Sequence, residues 1–270
     1  GGTKDWYGQG LGGQVLDTRI HSGIVDYEPT ELVITARCGT PLADIEAALA
    51  ERQQMLAFEP PHFGSGATFG GAVAAGLSGP RRATSGAVRD FVLGTKLMDG
   101  KGEVLTFGGQ VMKNVAGYDV SRLLAGSLGT LGLMLELSVK VLPLAVRETT
   151  LRFALDEIGA LRKLNEWGGQ PLPISASCWH DGVLTLRLSG ANAAVDAAVA
   201  SLGGEGMADC AAFWESVREQ RHIFFAGDGA LWRKEEIRKA RGARPEKLDR
   251  VVVGVDPPAS SAADGSACGI

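Results

Sequence analysis

Residues 60–90, PPHFGSGATFGGAVAAGLSGPRRATSGAVRD, concentrate groups able to do chemistry through the main chain. Glycine stands at 64, 66, 70, 71, 76, 79 and 86, and proline at 60, 61 and 80. At this density the backbone must turn tightly, take positive φ or lie close against something flat. Between Glu59 and Arg81 only His62 can carry charge, yet so many helix breakers exclude a bilayer-spanning helix. A plain glycine-rich surface loop is the alternative, but Phe63, Ala67, Phe69, Val73, Ala74, Ala75 and Leu77 are more apolar than such loops usually are. Main-chain N–H groups presented in this way suit a bulky cofactor with phosphates and a flat ring. The spacing from Gly64 to Gly70 is G-x-G-x-x-x-G, and no G-K-[ST] follows, which argues against the dinucleotide-binding Rossmann turn and the P-loop.

The elements that must hold this segment alternate strand and helix. Residues 14–18, 23–29 and 31–40 read as strands. Residues 41–52 read as an amphipathic helix, with Thr40 as N-cap, Pro41 at its first position and Leu42, Ile45, Ala48 and Leu49 on one face. Residues 90–99 and 102–107 form a hairpin about Asp99-Gly100. A second glycine run, Gly126-Ser-Leu-Gly-Thr-Leu-Gly132, leads into a strand that ends at Pro143. Between them lies K-N-V-A-G-Y-D-V-S-R-L-L, where Asp119 and Ser121 either cap the helix 120–125 or serve a site. From residue 145 the order is strand, helix, hairpin about Asp181-Gly182, and alanine-rich helix, the pattern of a small α+β domain with an antiparallel sheet. Residues 213–221 read as a further helix, and 222–226 and 229–233 as strands. His180 and His222 are candidate bases, weighed against a surface and a structural role respectively.

A charged content of 21% and a net charge of −4 give no electrostatic reason to expect nucleic acid or an anionic membrane. No stretch is long and apolar enough to span a bilayer. Cys38, Cys178, Cys210 and Cys268 lie far apart without a C-x-x-C pair, which points to reduced thiols in the cytoplasm and to no metal site.

Three segments carry a resemblance. P-P-x-F-G-S-G-A-T-F-G-G-A-V-A-A-G-L-S-G-P-R-R, G-A-V-R-D-F-V-L-G-T-K-L-M-D-G-K-G-E and K-N-V-A-G-Y-D-V-S-R-L-L-A-G-S-L-G-T-L-G resemble the flavoproteins with a vanillyl-alcohol-oxidase (PCMH-type) FAD domain. Within that family the chain is similar to FAD-binding subunits of bacterial glycolate oxidases, over about residues 1–232. The resemblance implies an α+β fold. A PCMH-type FAD-binding domain would occupy residues 1–144, lacking its first β-α-β unit, and an incomplete α+β substrate domain residues 145–232. It implies an FAD-dependent oxidoreductase acting on CH–OH groups, taking glycolate or another small 2-hydroxy acid. Its partners would be a larger flavoprotein subunit and an iron–sulfur subunit, located in the cytoplasm or at the inner face of the membrane through those partners. In the other reading the chain is a non-catalytic assembly or electron-relay subunit, or another FAD-linked oxidase of the same fold.

The implied cofactor contacts follow the motifs. Gly1, Gly2, Thr3 and Lys4 would hold one side of the pyrophosphate, and Gly64, Ser65, Thr68, Gly70 and Gly71, after Pro60, would supply donors around the phosphates. Gly76, Ser78, Gly79 and Arg81 would reach the flavin, and Gly86, Val88 and Asp90 would complete the wall. The segment with Asn114, Tyr118 and Asp119 would lie near the flavin, and Gly132 near the adenine end. The first glycine loop has no histidine, so FAD is expected to bind without a covalent link, with His62 the one reservation. No catalytic residue is assigned. Residues 233–270 resemble the opening of a phage terminase nuclease domain, with Asp256 as the matching carboxylate, which implies a chimera joined near residues 230–233. One carboxylate cannot hold catalytic metals, so no nuclease activity is expected.

Overall fold

The computed structural model describes residues 16–109 and 119–225, and the backbone alone at 232–233 and 251–252. The chain divides into two compact units, Gly1–Gly79 with Gly86–Leu144, and Pro80–Ser85 with Ala145–Ile270. The six residues Pro80–Ser85, expected in the first domain, are thus grouped with the second unit.

In chain order the elements up to residue 144 are β1 (Ile24–Glu28), β2 (Val33–Arg37), α1 (Leu42–Ala50), β3 (Gln54–Met55), α2 (Phe69–Ala74), α3 (Arg82–Ser85, in the second unit), β4 (Val92–Met98), β5 (Val104–Gly108), α4 (Val120–Leu123), β6 (Leu133–Lys140) and β7 (Leu142–Pro143). The first unit is built on an antiparallel sheet of order β1-β2-β6-β4-β5. Its middle strand β6 pairs Glu136 with Arg37 of β2 on one side and with Lys96 of β4 on the other. Thr35 and Ser138 share a buried hydroxyl–hydroxyl bond of 2.8 Å, which satisfies two polar groups inside the sheet. Leu42, Ile45 and Leu49, spaced along one face of α1, are fully buried in a core with Ile34, Phe58, Phe69, Val73, Leu137 and Val139. Each such side chain contributes about 1.5–3 kcal/mol on burial.

Thr40 was expected to cap α1, but Pro41 occupies the N-cap and no side chain caps the helix. The Thr40 hydroxyl accepts instead from the Gly23 amide at 2.8 Å and lies 2.7 Å from the Arg37 carbonyl, to which it donates. The amide of Leu42 finds its partner in the Ala67 carbonyl, so the end of α1 is satisfied by the glycine-rich segment itself. No strand forms in the described part of residues 14–18.

The second unit continues with β8 (Arg147–Ala154), α5 (Glu157–Gly168), β9 (Ile174–His180), β10 (Val183–Gly190), α6 (Asn192–Leu202), β11 (Glu205–Gly206), α7 (Cys210–Arg218), β12 (Trp232–Arg233) and β13 (Val251–Val252). Its sheet has the order β11-β8-β10-β9 and is antiparallel throughout. Leu184, Leu186 and Leu188, at alternate positions of β10, pack with Leu151, Ala160, Leu164, Trp167, Val195 and Ala198. A smaller cluster holds Ala176 and Cys178 with Trp214 of α7, whose indole N–H donates to Thr150 at 2.9 Å. β12 and β13 pair in parallel. The rest of residues 226–270, including Asp256 and the expected fusion point, lies outside the described residues apart from those two strands.

Pro80–Ser85 is fastened to this sheet by polar groups. Arg81, 7% exposed, donates to Glu148 at 3.0 Å, and the Thr84 hydroxyl donates to the Ser175 carbonyl at 3.0 Å. Arg187, also buried, donates to Ser175 and lies over the Trp214 ring at 4.9 Å.

The strand expected at 222–226 is a single 3-10 turn, Ile223–Phe225, in its described part. Gln220 has a left-handed backbone and the His222 ring accepts from the Phe224 amide at 3.1 Å, so the chain coils there. A short apolar run fits a strand and a buried turn equally well, and only the neighbours decide.

Candidate cofactor site

The first unit contains a cavity of about 730 Å3, within the range of small-molecule and cofactor pockets. Its walls come from residues 62–64, 66 and 67, from α2, from the second glycine run and the start of β6, from Cys38 after β2, and from residues 16–19.

Two glycine segments meet because neither carries a side chain at the crossing. The amide of Gly126 donates to Val73 and that of Leu128 to Ala74, at 3.0 and 2.8 Å. A Cβ on Gly76, at φ +67°, would stand 3.1 Å from the Gly126 Cα. Thr68 caps α2 by accepting from the Gly71 amide at 3.2 Å, and the Gly70 amide donates to the Cys38 carbonyl at 2.9 Å. A Cβ on Gly70 would fall 2.4 Å from the Cys38 Cβ, so position 70 must be glycine for α2 to reach the end of β2. The Gly70 and Gly71 amides, expected as phosphate donors, are thus engaged within the protein.

The open positions lie elsewhere in the same loops. Gly64, Gly66 and Gly129 have nothing within 4 Å of where a Cβ would stand, and all three line the cavity. Among the described residues, the amides of Gly64, Ser65 and Gly66 have no hydrogen-bond partner. Three consecutive donors beside a space kept clear of side chains can take an anionic oxygen.

The charged groups around the cavity are paired. His62 lies 3.0 Å from Glu46 of α1, and Arg19 bonds Asp17, holding its carboxyl at about 2. The Cys38 thiol is pushed up to about 12 by burial and then by the charge of Glu136, so it forms a neutral wall and no nucleophile.

Of the residues expected at the site, Gly64, Thr68, Gly70, Gly71 and Gly132 line the cavity. Pro60 is buried, and Ser65 is exposed beside the cavity without lining it. Gly76, Ser78, Gly79, Arg81, Gly86, Val88 and Asp90 do not line it and instead build the following loop. Ser78 accepts from the Val88 amide at 2.9 Å, the Gly79 amide donates to Phe58, and Asp90 accepts from the Ala87 amide beside Gly86. Val88 is 2% exposed, and Arg81 belongs to the second unit. Gly1, Gly2, Thr3, Lys4, Asn114 and Tyr118 lie outside the described residues. Asp119 caps α4 by accepting from Arg122.

The wall also includes Phe63, Leu128, Gly129 and Met134, which spacing alone did not single out. The glycine run 126–132 was the available signal, but it does not say which residues face inward. His180 and His222 lie edge to face in the second unit, 5.6 Å apart between Phe213 and Phe224. Among the described residues no group of three His, Cys, Asp or Glu side chains could hold a metal ion.

Residues 1–108 match the family model of an FAD binding domain. The chain is 54% identical over 231 residues to glycolate oxidase subunit GlcE of Escherichia coli, covering 86% of this chain and 65% of that protein. It is 32% identical over 151 residues to glycolate oxidase subunit GlcD of Bacillus subtilis, covering 55% of this chain and 32% of that protein. Against a D-lactate dehydrogenase of Anaerostipes hadrus it is 35% identical over 133 residues, 49% of this chain and 27% of that one. The chain therefore spans less than two thirds of the length of these relatives. A solved alkyldihydroxyacetonephosphate synthase superposes with a TM-score of 0.60 at 17% identity, over 77% of this chain and 45% of that one, a likeness of fold. The observed cavity fits an FAD on two counts. Side-chain-free space stands at 64, 66 and 129, and the three unengaged amides of residues 64–66 are donors of the kind that a pyrophosphate needs.

Proposed function

From the match of residues 1–108 to the family model of an FAD binding domain and the 54% identity to a glycolate oxidase subunit, we propose that this chain is the FAD-binding subunit of a glycolate (2-hydroxy acid) oxidase complex. FAD rests in the cavity of the first unit, held without a covalent link. The observation that carries this reading is the run of three unengaged amides at Gly64–Gly66 beside a glycine-walled space, in a chain 54% identical to a glycolate oxidase subunit.

When bound, FAD would supply the hydride acceptor for oxidation of the hydroxyl-bearing carbon of a 2-hydroxy acid to the 2-oxo acid, the hydroxyl proton leaving to a base or to water. The chain's own residues bind and shape. Gly64–Gly66 donate to the pyrophosphate, and Cys38 and Met134 provide an apolar wall that excludes water. Gly76 lets the two glycine loops approach, and Gly70 lets α2 reach the end of β2. Gly132, Thr68 and Gly71 complete the lining, and for Gly1, Gly2, Thr3, Lys4, Asn114 and Tyr118, outside the described residues, a part in holding the cofactor is what the resemblance implies. The partners are a larger flavoprotein subunit and an iron–sulfur subunit that takes the electrons onward, and the complex works in the cytoplasm or at the inner face of the membrane. Among the described residues no helix is long and apolar enough to cross a membrane.

The test is spectroscopic. The purified protein, co-expressed with its partner subunits, is expected to carry a yellow flavin that acid releases and that glycolate bleaches without oxygen. A bound flavin that glycolate leaves oxidised, in a complex still active elsewhere, would assign the chemistry to a partner. This chain would then be an electron-relay or assembly subunit.

A further inference from the structure

In the second unit, the ring of His222 does the work of a main-chain acceptor. Gln220 turns left-handed at φ 54° after α7, and the amides of Arg221 and His222 both close back on the Ser216 carbonyl, at 2.8 and 3.0 Å. The 3-10 turn Ile223–Phe225 follows, in which the Phe225 amide donates to the His222 carbonyl at 2.8 Å. The Phe224 amide donates to His222 Nδ1 at 3.1 Å. A ring nitrogen that accepts an N–H must present its lone pair, so this His222 is neutral and carries its proton on Nε2. The side chain thereby holds the turn as an asparagine oxygen holds an Asx turn.

The surroundings of the ring oppose a second proton. His180, the last residue of β9, meets it edge to face at 5.6 Å, and Phe213 of α7 packs on it at 5.0 Å. Phe224, 2% exposed, closes the group at 6.3 Å from His180. The titratable groups that β9 offers are His180, which can add only positive charge, and Cys178, a thiol that burial keeps neutral. The charged groups at the end of α7 bond one another, Glu215 with Arg221 and Glu219 with Arg218, each at 2.8 Å. Cys210 packs at the start of α7, residues 223–225 carry no charge, and Asp181 in the β9–β10 turn is exposed. Among the described residues no carboxylate bonds the His222 ring. Desolvation, and after it His180, accordingly holds this histidine below its ordinary value.

We propose that His222 and His180 form a proton-sensitive latch that fastens the turn after α7 to the end of β9, closed while His222 is neutral and opened when a proton from solvent binds its Nδ1. Protonation converts the acceptor into a donor, so the Phe224 amide loses its partner and faces an N–H. Once His180 is also charged, two imidazoliums stand ring to ring. The turn then releases, and Phe224 leaves its buried place. Because the closed form favours neutral His222, the latch is shut above the ordinary histidine value near 6.5 and loosens as the pH falls below it. The latch lies wholly within the second unit and does not depend on FAD.

The experiment follows hydrogen exchange of the Phe224 amide by NMR in the full chain at about pH 7.5 and about pH 5.5, each rate divided by the intrinsic rate at that pH. Wild type is expected to lose about tenfold in protection over this interval, the limit for a histidine that titrates near 6.5 when open and holds no proton when closed. In His222→Asn the side-chain oxygen can accept the same amide and does not titrate, so protection should stay within about twofold at the two pH values. His180→Gln removes the facing charge and should lose less than wild type. The latch is refuted if wild-type protection changes by less than about twofold, or if the Phe224 amide exchanges unprotected at both pH values. A His222→Asn chain that loses protection as steeply as wild type refutes it too, since the loosening then belongs to other groups. A loss undiminished in His180→Gln refutes the part of the second histidine.

Discussion

Adding one methyl group at Gly70 and another at Gly66 separates glycines that build the protein from glycines that leave room for its cofactor. In Gly70→Ala the new Cβ would stand 2.4 Å from the Cys38 Cβ, 2.9 Å from its carbonyl oxygen and 3.0 Å from its Cα. Ordinary contact between such atoms is about 3.5–4 Å. The chain at α2 and the end of β2 must therefore separate by about 1 Å, which also stretches the 2.9 Å bond from the Gly70 amide to Cys38. Overpacking of this kind costs about 1–3 kcal/mol, and the weakened hydrogen bond about 0.5–1.5 kcal/mol. The helical preference of alanine over glycine returns about 1 kcal/mol. A net loss of about 0.5–3.5 kcal/mol remains, a large share of the stability of a typical domain at its upper end. In Gly66→Ala nothing stands within 4 Å of the new atom and the backbone is not left-handed. Stability should hold or rise by about 0.4–1 kcal/mol through the unfolded chain, while Gly66→Val, filling the cavity, weakens FAD. Urea denaturation of the cofactor-free protein and FAD titration measure the two quantities separately. Cys38→Gly should recover part of the Gly70→Ala loss, whereas Cys38→Ala keeps the clashing Cβ and should not. A Gly70→Ala protein as stable as wild type would refute the packing argument. A Gly66→Val protein that binds FAD normally would remove the cavity as its site.

Glu148→Ala strips the carboxylate from the buried Arg81 and Arg187, and should destabilise the second unit by about 1–3 kcal/mol, discounted because Glu148 is partly exposed; Trp214 fluorescence during urea unfolding would report it. Burial pushes the Cys38 and Cys178 thiols up to about 12, so both should resist alkylation in the native protein at pH 8, while the partly exposed Cys210 reacts. Since the folded state favours their neutral form, that contribution is complete below about pH 9 and is lost as the pH rises toward 12, an effect the Cys178→Ala protein should show less of in alkaline melts. Desolvation, then the neighbouring His180, holds His222 below the usual histidine value. The folded state thus favours neutral His222, and stability should fall as the pH drops below about 6.5; a His222→Gln protein with an equally steep acid fall would show that this histidine is not responsible.

By itself the sequence determined the elements whose signals are local. Val33–Arg37 and the hairpin of Val92–Met98 with Val104–Gly108 follow from β-branched and apolar residues beside glycine turns, and Leu133–Lys140 from an apolar run set between the second glycine run and Pro143. Leu42, Ile45 and Leu49 place α1 by their helical spacing. The glycine-rich composition of residues 60–90 also announced a main-chain cradle, and the match of residues 1–108 to an FAD binding domain is itself a property of sequence. The tertiary structure decided which glycines do which work. Gly70 answers to Cys38 and Gly76 to Gly126, contacts between residues far apart in the chain, whereas Gly64, Gly66 and Gly129 are the described glycines of the two loops that are left open. It also decided that Thr40 bonds Gly23 instead of capping α1, and that Arg81 turns to Glu148 in the second unit. Periodicity describes a chain against its own axis. A close approach between two backbones, or the choice of partner for a buried guanidinium, depends on what the fold brings alongside, and spacing along the chain does not carry that.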